Sequence, residues 1–356
     1  MQKVVVEINV KAIQENARVF KARTGKLLCA VVKADGYGHG AEETVCALSA
    51  VADCFAVAIV DEGMKIKAAA CGKDILVLTP PMDDEDAERI LQNGFVACVP
   101  DLVTAKRLVQ VGKRLQKVPR LHIKVNTGMN RYGASLQLLG KICKYLKMYG
   151  VAPEGVFSHL YLHQSQTAQE QRQIFLRAQR VCRRYFSSFI SHLSATYGAT
   201  LGQDFAFDMV RIGLGLYGYL PDDTPNKQRL EKDLGLKKAM RVRARVVCSR
   251  KYLSGGLGYG NGTKSERRLV KEQGMSVLRV GYGDGFFWKN PSGMDDGEKQ
   301  LGALCMDARL CVGKMRREKW VDVMTDACLA AQIAGTISYE ILCCVGKRGE
   351  KRYIYQ

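Results

Sequence analysis

The sequence predicts an α/β protein, a (β/α)8 barrel followed by a smaller domain rich in β-strands. The chain has 356 residues, of which 47% are hydrophobic and 25% charged, an ordinary globular composition with room for two domains. From Lys11 to about Tyr219, short apolar runs alternate with longer amphipathic stretches, as in a parallel sheet covered by helices. Beyond the polar segment 221–235, short β-like runs are punctuated by glycine. We therefore expect the barrel at 11–224 and a β domain at 225–356.

Eight near-continuous apolar runs are the predicted strands of the barrel. They lie at 27–32, 55–60, 75–79, 95–99, 121–125, 155–160, 189–193 and 209–214. Amphipathic stretches such as EDAERILQNG and TAKRLVQVGKRLQ predict the helices between them. Eight strands over about two hundred residues favour a closed barrel. An open, doubly wound sheet is the alternative, but no GxGxxG motif follows the first strand.

The predicted β domain takes its strands from both ends of the chain. VVVEINV (4–10) alternates like a strand and is expected to pair with this domain, which then includes residues 1–10. The C-terminal β-like runs lie at 241–248, 255–263, 276–286, 299–313, 320–326, 337–346 and 352–356.

The formal net charge of +19 raises the hypothesis of a nucleic-acid partner. Up to Thr224 there are 28 basic and 21 acidic residues, and from Pro225 onward 26 and 14. The basic runs, such as RVRARV (241–246), lack zinc-finger spacing, an RNP-like aromatic pattern and basic-helix heptads. Solvated faces and basic strand edges explain them, so we expect no nucleic-acid partner.

Composition also bears on the compartment. No apolar run approaches the roughly 18 residues of a membrane span, and the N-terminus lacks the pattern of a secretory signal. The thirteen cysteines are odd in number and show no CxxC spacing. Free thiols in a reducing compartment are expected. We therefore predict a cytoplasmic protein with neither a metal site nor a membrane partner.

The most informative segment is LLCAVVKADGYGHG (27–40), in which a buried strand runs into Lys33 and a glycine-rich turn. Barrel enzymes keep their chemistry at the carboxyl ends of the strands. Desolvation there lowers the pKa of an amine and allows Schiff-base chemistry with a carbonyl cofactor. The alternative is an ordinary surface lysine at the end of a strand.

VVKADGYGHG (31–40) closely resembles the signature around the pyridoxal-phosphate lysine of the alanine racemase family (fold type III). Further motifs follow in the family's order over essentially the whole chain: KVNTGMNRYG (124–133), FSHL (157–160), DMVRIGLGLYG (208–218), GGLGYGNGT (255–263), VGYGDGF (280–286), CMD (305–307) and ISYEIL (337–342). The resemblance implies a β/α barrel with a β domain, pyridoxal phosphate as cofactor, and a homodimer. It also implies interconversion of L- and D-alanine, which supplies D-alanine for peptidoglycan.

The resemblance assigns cofactor-binding roles to particular residues. Lys33 would carry the cofactor covalently, and Arg211 would pair with its pyridine nitrogen, with His159 in the layer behind. Because arginine does not give up its proton, that nitrogen should stay unprotonated, which should limit side reactions such as transamination. The phosphate would be held by Tyr37, Thr196, the backbone of Gly213 and Leu214, and Tyr339.

The same resemblance assigns the chemistry to two bases on opposite faces of the substrate Cα, Lys33 and Tyr259. Tyr259 would come from the second subunit, as would Tyr282 and Met306 at the substrate. Arg131 would lie near the substrate carboxylate, where its fork geometry suits two oxygens. In some members of the family the equivalent of Lys124 is carbamylated, so the resemblance makes Lys124 a candidate for this modification. In support, a buried strand lysine must be neutralised or paired.

Each assignment has a structural alternative. The tyrosines and Met306 could be packing residues, Arg211 a salt-bridge partner, and His122 and His192 satisfied core histidines. Ala195 and Thr196 stand where the family usually has Asn-Ser, Asn126 where it has aspartate, and Ala308 where it has glutamine. The rivals to alanine racemisation are a serine racemase of the vancomycin-resistance type and a non-catalytic pyridoxal-phosphate barrel protein.

Overall fold

The structure, a computed structural model, describes residues 4–161, 165–258, 272–287 and 300–355. The chain divides into two compact units. The barrel unit comprises Ile13–Gly36 and Ala41–Lys237. The β unit comprises Met1–Ala12, Tyr37–Gly40 and Lys238–Gln356.

After strand β1 (Val4–Asn9) and helix α1 (Val10–Thr24), eight parallel strands form the barrel. They are β2 (Leu27–Val31), β3 (Cys54–Val57), β4 (Ile75–Val77), β5 (Val96–Val99), β6 (Leu121–Lys124), β7 (Gly155–Phe157), β8 (Ile190–His192) and β9 (Met209–Ile212). Their order is β8-β7-β6-β5-β4-β3-β2-β9. Backbone bonds Asp208 N–Ser191 O and Arg211 N–Ser194 O, both 3.0 Å, link the β9 end to the β8 end. The predicted barrel is confirmed, with all eight apolar runs as its strands.

Helices and turns connect these strands. They are α2 (Lys33–Tyr37, a left-handed turn), α3 (Ala41–Leu48), α4 (Val60–Ile66), α5 (Asp84–Asn93), α6 (Leu102–Leu115), α7 (Leu136–Met148), α8 (Ser165–Arg183), α9 (Gln203–Ala206) and α10 (Lys227–Leu234). Polar residues start several of them, as when Asp101 accepts a hydrogen bond from Thr104 N at 2.7 Å. The helices turn apolar faces to the sheet, such as Ala87, Ile90 and Leu91 of α5.

The β unit contains β10 (Met240–Lys251), β11 (Gly274–Leu278), β12 (Gln300–Leu301), β13 (Arg309–Val312), β14 (Trp320–Met324) and β15 (Glu350–Ile354), with helices α11 (Ala327–Ala334) and α12 (Ser338–Cys344). The sheet order is β12-β13-β11-β10-β1-β15, and β14 also pairs with β10. The N-terminal strand β1 runs antiparallel to β10 and parallel to β15.

One sequence interpretation of the C-terminal part is wrong, and a second is contradicted only in its described part. The β-like run 337–346 forms helix α12, because its buried residues Ser338, Ile341 and Leu342 follow the helical period. The described part of GGLGYGNGT, residues 255–258, contains no strand.

The basic run of β10 is paired within its own sheet. Arg241 and Arg243 both form ion pairs with Glu7 on β1, and Arg241 also lies 3.6 Å from Asp322 on β14. Opposite charges on neighbouring strands stabilise the sheet locally. This part of the positive charge therefore has partners inside the β unit.

Candidate active site

Lys33 follows β2 by two residues, at the carboxyl end of the barrel, and begins an unusual turn. Ala34, Asp35 and Gly36 all adopt left-handed backbone angles, with φ of 52°, 53° and 62°. This region is costly for residues other than glycine. A Cβ at position 36 would also lie 3.2 Å from Thr44 Oγ1, so both backbone angle and space favour glycine there. The turn thus gives Lys33 a fixed place at the mouth of the barrel.

Arg211, on β9, is a buried cation at the same end of the barrel. Its guanidinium donates to the carbonyl oxygens of Ser158 (2.7 Å), His192 (3.1 Å) and Leu193 (3.1 Å). Burial lowers the pKa of Arg211 to about 10, a value that still leaves the group charged at neutral pH. The loops after β7 and β8 therefore hold a permanent positive charge in one orientation.

A histidine chain extends from Arg211 into the barrel. Arg211 Nη1 donates to His192 Nδ1 at 2.7 Å, so Nε2 of a neutral His192 carries the proton and donates to His122 Nδ1 at 2.9 Å. Burial, and then the charge of Arg211, lower the pKa of His122 to about 3 and that of His192 well below its usual range. Both rings stay neutral and act as hydrogen-bond partners, in agreement with their interpretation as satisfied core histidines.

Three further cations, Lys33, Lys124 and Arg131, form a cationic cluster with Arg211 around His159. Arg211 Nη2 lies 3.4 Å from His159 Nδ1. Burial lowers the pKa of His159 well below its usual range, and the charges of Arg211, Lys124, Arg131 and Lys33 lower it further. The Tyr132 ring lies close to two of these cations, with its centroid 5.4 Å from Lys124 Nζ and 6.0 Å from Arg131 Cζ. The cluster suits an anionic ligand.

Lys124, the last residue of β6, is buried, and its environment disfavours the ammonium form. Burial is the main cause, the cations Arg211, Arg131 and Lys33 add to it, and the pKa falls to about 8. A neutral amine is therefore available just above neutral pH, and this form is the nucleophilic one.

Lys124 should make the stability of the protein depend on pH. Its folded-state pKa lies below the unfolded value, so the unfolded chain binds more protons between about pH 8 and 10.5, and stability rises over that window. From pH 7.5 to 9.5 the wild type should gain about 2 kcal/mol in the free energy of unfolding relative to Lys124→Met. Urea titrations of both proteins in buffer free of carbon dioxide, where Lys124 stays an amine, measure this difference. If the free energy of unfolding depended on pH equally in both proteins, the lowered pKa of Lys124 would be contradicted.

Thr196 joins the loops after β8 and β9. Its hydroxyl oxygen accepts hydrogen bonds from the backbone N–H of Gly215 at 3.1 Å and of Gly213 at 3.4 Å. Gly213 directly follows β9 and precedes a short 3-10 turn, Leu214–Tyr217. Thr196 thus organises the loop on which Gly213 and Leu214 lie.

In the β unit, the structure brings together two pairs of the predicted residues. The rings of Tyr37 and Tyr339 lie with centroids 6.1 Å apart. The backbone N–H groups of Tyr282 and Gly283 donate to the carbonyl oxygens of Cys305 (3.1 Å) and Met306 (2.9 Å). Tyr282 and Met306 are 38% and 52% exposed, so neither is a core residue. Tyr259 lies outside the described residues.

Two residues that contact the candidate site, Tyr132 and Glu62, were not predicted from the sequence. Tyr132 follows Arg131 directly and faces two cations. Glu62 accepts a hydrogen bond from Ala34 N, the residue after Lys33, at 2.7 Å. Neither carries a sequence signal, since an aromatic beside an arginine and an acid in the first turn of a helix are both common.

Within the described ranges, no three His, Cys, Asp or Glu side chains cluster as metal ligands would. No single described helix is long and apolar enough to cross a membrane. Helices α11 and α12 reach that length and apolar composition only when taken together, and they are bent by 103° relative to each other.

The barrel, with a lysine and a cationic cluster at the carboxyl ends of its strands, has the arrangement of a β/α-barrel enzyme. The alanine racemase N-terminal domain family matches residues 8–221, and the alanine racemase C-terminal domain family matches residues 239–353. The chain belongs to the alanine racemase family.

Individual relatives support this membership. The chain is 30% identical to "Alanine racemase 2" of Oceanobacillus iheyensis over 98% of this chain and 93% of that protein. It is 29% identical to the serine/alanine racemase of Enterococcus gallinarum over 96% of this chain and 49% of that protein. The crystal structure of alanine racemase from Bartonella henselae with covalently bound pyridoxal phosphate matches with a TM-score of 0.85 at 25% identity, covering 99% of this chain and all of that one.

Proposed function

We propose that this enzyme interconverts L- and D-alanine with pyridoxal phosphate held on Lys33. The observation that carries the proposal is the position of Lys33, two residues after β2 and at the same end of the barrel as the buried cation Arg211 on the neighbouring strand β9. Relatives named alanine racemase align over nearly the whole chain, which supports the substrate. The D-alanine formed would supply peptidoglycan precursors in the cytoplasm, and that location stays a prediction.

The residues present fit the cofactor by charge and by donor type. Pyridoxal phosphate carries a phosphate and a phenolic oxygen, and the barrel offers cations and backbone N–H groups at strand ends. Thr196, Gly213 and Leu214, with Tyr37 and Tyr339, would hold the phosphate. Arg211 would face the pyridine nitrogen, and His159 would lie behind it. When bound, pyridoxal phosphate supplies an electron sink for the charge that develops on the substrate Cα.

The chain's own residues would hold the substrate and move its proton. Arg131 would bind the substrate carboxylate with its guanidinium fork. Lys33 Nζ would take or return the Cα proton on one face. The hydroxyl oxygen of Tyr259 would do so on the other, helped by cations that lower the pKa of a tyrosine.

Tyr259, Tyr282 and Met306 would reach the substrate from the second subunit of a homodimer. In support, Tyr282 and Met306 lie together on exposed loops of the β unit, where a partner can contact them. Exposed methionine and tyrosine side chains are typical of surfaces that become buried on association.

Lys124 is proposed to react with carbon dioxide and form a carbamate. Its lowered pKa, about 8, supplies the neutral amine that this reaction needs. The negative carbamate would relieve the repulsion among the cations and brace Arg131. Mass spectrometry under native conditions should show the added mass of one carbon dioxide in the wild type, lost in Lys124→Met.

Kinetics on L-alanine and L-serine test the substrate. Serine is the second candidate because the Enterococcus gallinarum relative is named a serine/alanine racemase. We expect kcat/KM for alanine to exceed that for serine by about ten-fold or more, the order that one added hydroxyl produces in a small apolar site. A clear preference for serine would overturn the alanine assignment. If neither amino acid were racemised, the remaining hypothesis would be the non-catalytic pyridoxal-phosphate barrel protein.

A further inference from the structure

One carboxylate ties together two loops at the carboxyl end of the barrel. Glu62 is the third residue of α4, and its Oε2 accepts hydrogen bonds from the backbone N–H of Ala58 (2.7 Å) and Ile59 (3.4 Å). That arrangement serves the start of its own helix. Its other oxygen, Oε1, accepts from the backbone N–H of Ala34 at 2.7 Å. Glu62 therefore joins the loop after β3 to the turn after β2.

The bond to Ala34 acts directly on Lys33. The nitrogen of Ala34 belongs to the same peptide group as the carbonyl carbon of Lys33, so holding its N–H fixes the ψ angle of Lys33. Ala34 and Asp35 adopt left-handed angles, with φ and ψ of 52° and 50°, and 53° and 48°. Such angles in residues other than glycine persist only where the surroundings hold them. Glu62 supplies that hold from outside the turn.

A second contact holds the far side of the turn. The Asp35 carboxylate accepts a hydrogen bond from Ala41 N at 3.0 Å, which ties the turn to the start of α3. Because that bond acts two residues beyond Lys33, it does not set the peptide plane that follows Lys33. Among the described contacts, the side chain that holds the peptide plane after Lys33 is Glu62, through its bond to Ala34 N–H.

We infer that Glu62 is a positioning residue that keeps the amine of Lys33 in its reactive direction. This inference rests on the proposed function, in which Lys33 is the reacting amine. A displaced reacting group loses much of its rate even when its chemistry is intact. Glu62 should therefore affect the rate of reaction at Lys33 more than the binding of substrate by Arg131.

Two variants and a matched control test the inference. Glu62→Gln keeps the size of the side chain, but its amide NH2 cannot accept. Its single acceptor oxygen cannot serve Ala34 N–H and the N–H groups of Ala58 and Ile59 at once, so the bond to Ala34 forms only part of the time. Glu62→Asp keeps the charge but is one methylene too short to reach both sets. The control, Glu85→Gln, removes the same charge from the exposed first turn of α5.

The first measurement is amide hydrogen exchange of the peptide that contains residues 33–37. Exchange should be about ten-fold faster or more in both Glu62 variants and unchanged in Glu85→Gln. The second measurement is the rate at which added pyridoxal phosphate becomes attached to Lys33, trapped with borohydride. That rate should fall about ten-fold or more in both Glu62 variants. In steady-state assays kcat should fall while KM for alanine stays within about two-fold.

Exchange at 33–37 that stays at the wild-type rate in both Glu62 variants would overturn the inference. Faster exchange with an unchanged rate of attachment would also overturn it, because the order of the turn would then not matter to Lys33. A wild-type protein that attaches the cofactor but does not racemise alanine would refute the proposed function alone. The exchange and attachment measurements would still decide the role of Glu62.

Discussion

A Lys33→Ala variant should lose racemisation by about four orders of magnitude, because the change removes both a base and the covalent attachment of the cofactor. The loss should appear in kcat for both enantiomers. The Lys33→Ala variant should still fold, because Lys33 is only half-buried. Alanine is also tolerated in this turn, since Ala34 already adopts the left-handed conformation there. Circular dichroism and initial rates from L- and D-alanine provide the measurement.

The matched control for this variant is Lys65→Ala, which removes an exposed lysine from α4. It should racemise alanine at the wild-type rate. A Lys33→Ala protein that folds and keeps more than about a tenth of the wild-type rate would show that Lys33 is not the reacting amine, since a base alone contributes about a hundred-fold or more.

A Tyr259→Phe variant should lower racemisation about 100- to 10,000-fold while the cofactor stays attached to Lys33. The missing hydroxyl removes the base on one face of Cα, so the variant should still exchange the Cα proton of one enantiomer with solvent. Deuterium incorporation followed by mass spectrometry measures this exchange. The matched control is Tyr252→Phe, the same change on the same segment, whose hydroxyl bonds Gly255 O.

Mixing the two inactive variants tests the composite site. If Lys33 and Tyr259 meet across a homodimer interface, a Lys33→Ala and Tyr259→Phe heterodimer contains one intact site and one doubly altered site. After subunit exchange in a one-to-one mixture, about a quarter of wild-type activity should return. A mixture of exchanged subunits that stays inactive would place both bases in one subunit.

The barrel could be predicted from the sequence because parallel strands buried on both faces require apolar runs. Each of the eight runs became a strand, with ends that moved by at most a few residues. Helix α12 could not be predicted, because ISYEILCC contains β-branched and apolar residues in a short stretch where helix and strand patterns coincide. The helical spacing of its buried residues, Ser338, Ile341 and Leu342, can be recognised only once the packing against neighbouring elements is known.

The candidate site was predictable where residues lie on strands or directly after them. Lys33, His159 and Arg211 follow from the strand ends, and the structure places all three just before or just after the carboxyl ends of barrel strands, with Arg211 Nη2 3.4 Å from His159 Nδ1. Hydrogen bonds between side chains and backbone groups could not be predicted from the sequence. The bonds from Arg211 to three carbonyl oxygens and from Ala34 to Glu62 depend on loop geometry, which residue types alone do not determine.

The covalent bond between Lys33 and pyridoxal phosphate is the central claim, and an absorbance spectrum of the purified protein tests it most directly. The account predicts an absorption band at the edge of the visible range that borohydride removes, and a reduced cofactor located by peptide mapping on Lys33. A protein that remains colourless after pyridoxal phosphate is added, or that carries the label on another lysine, would contradict it.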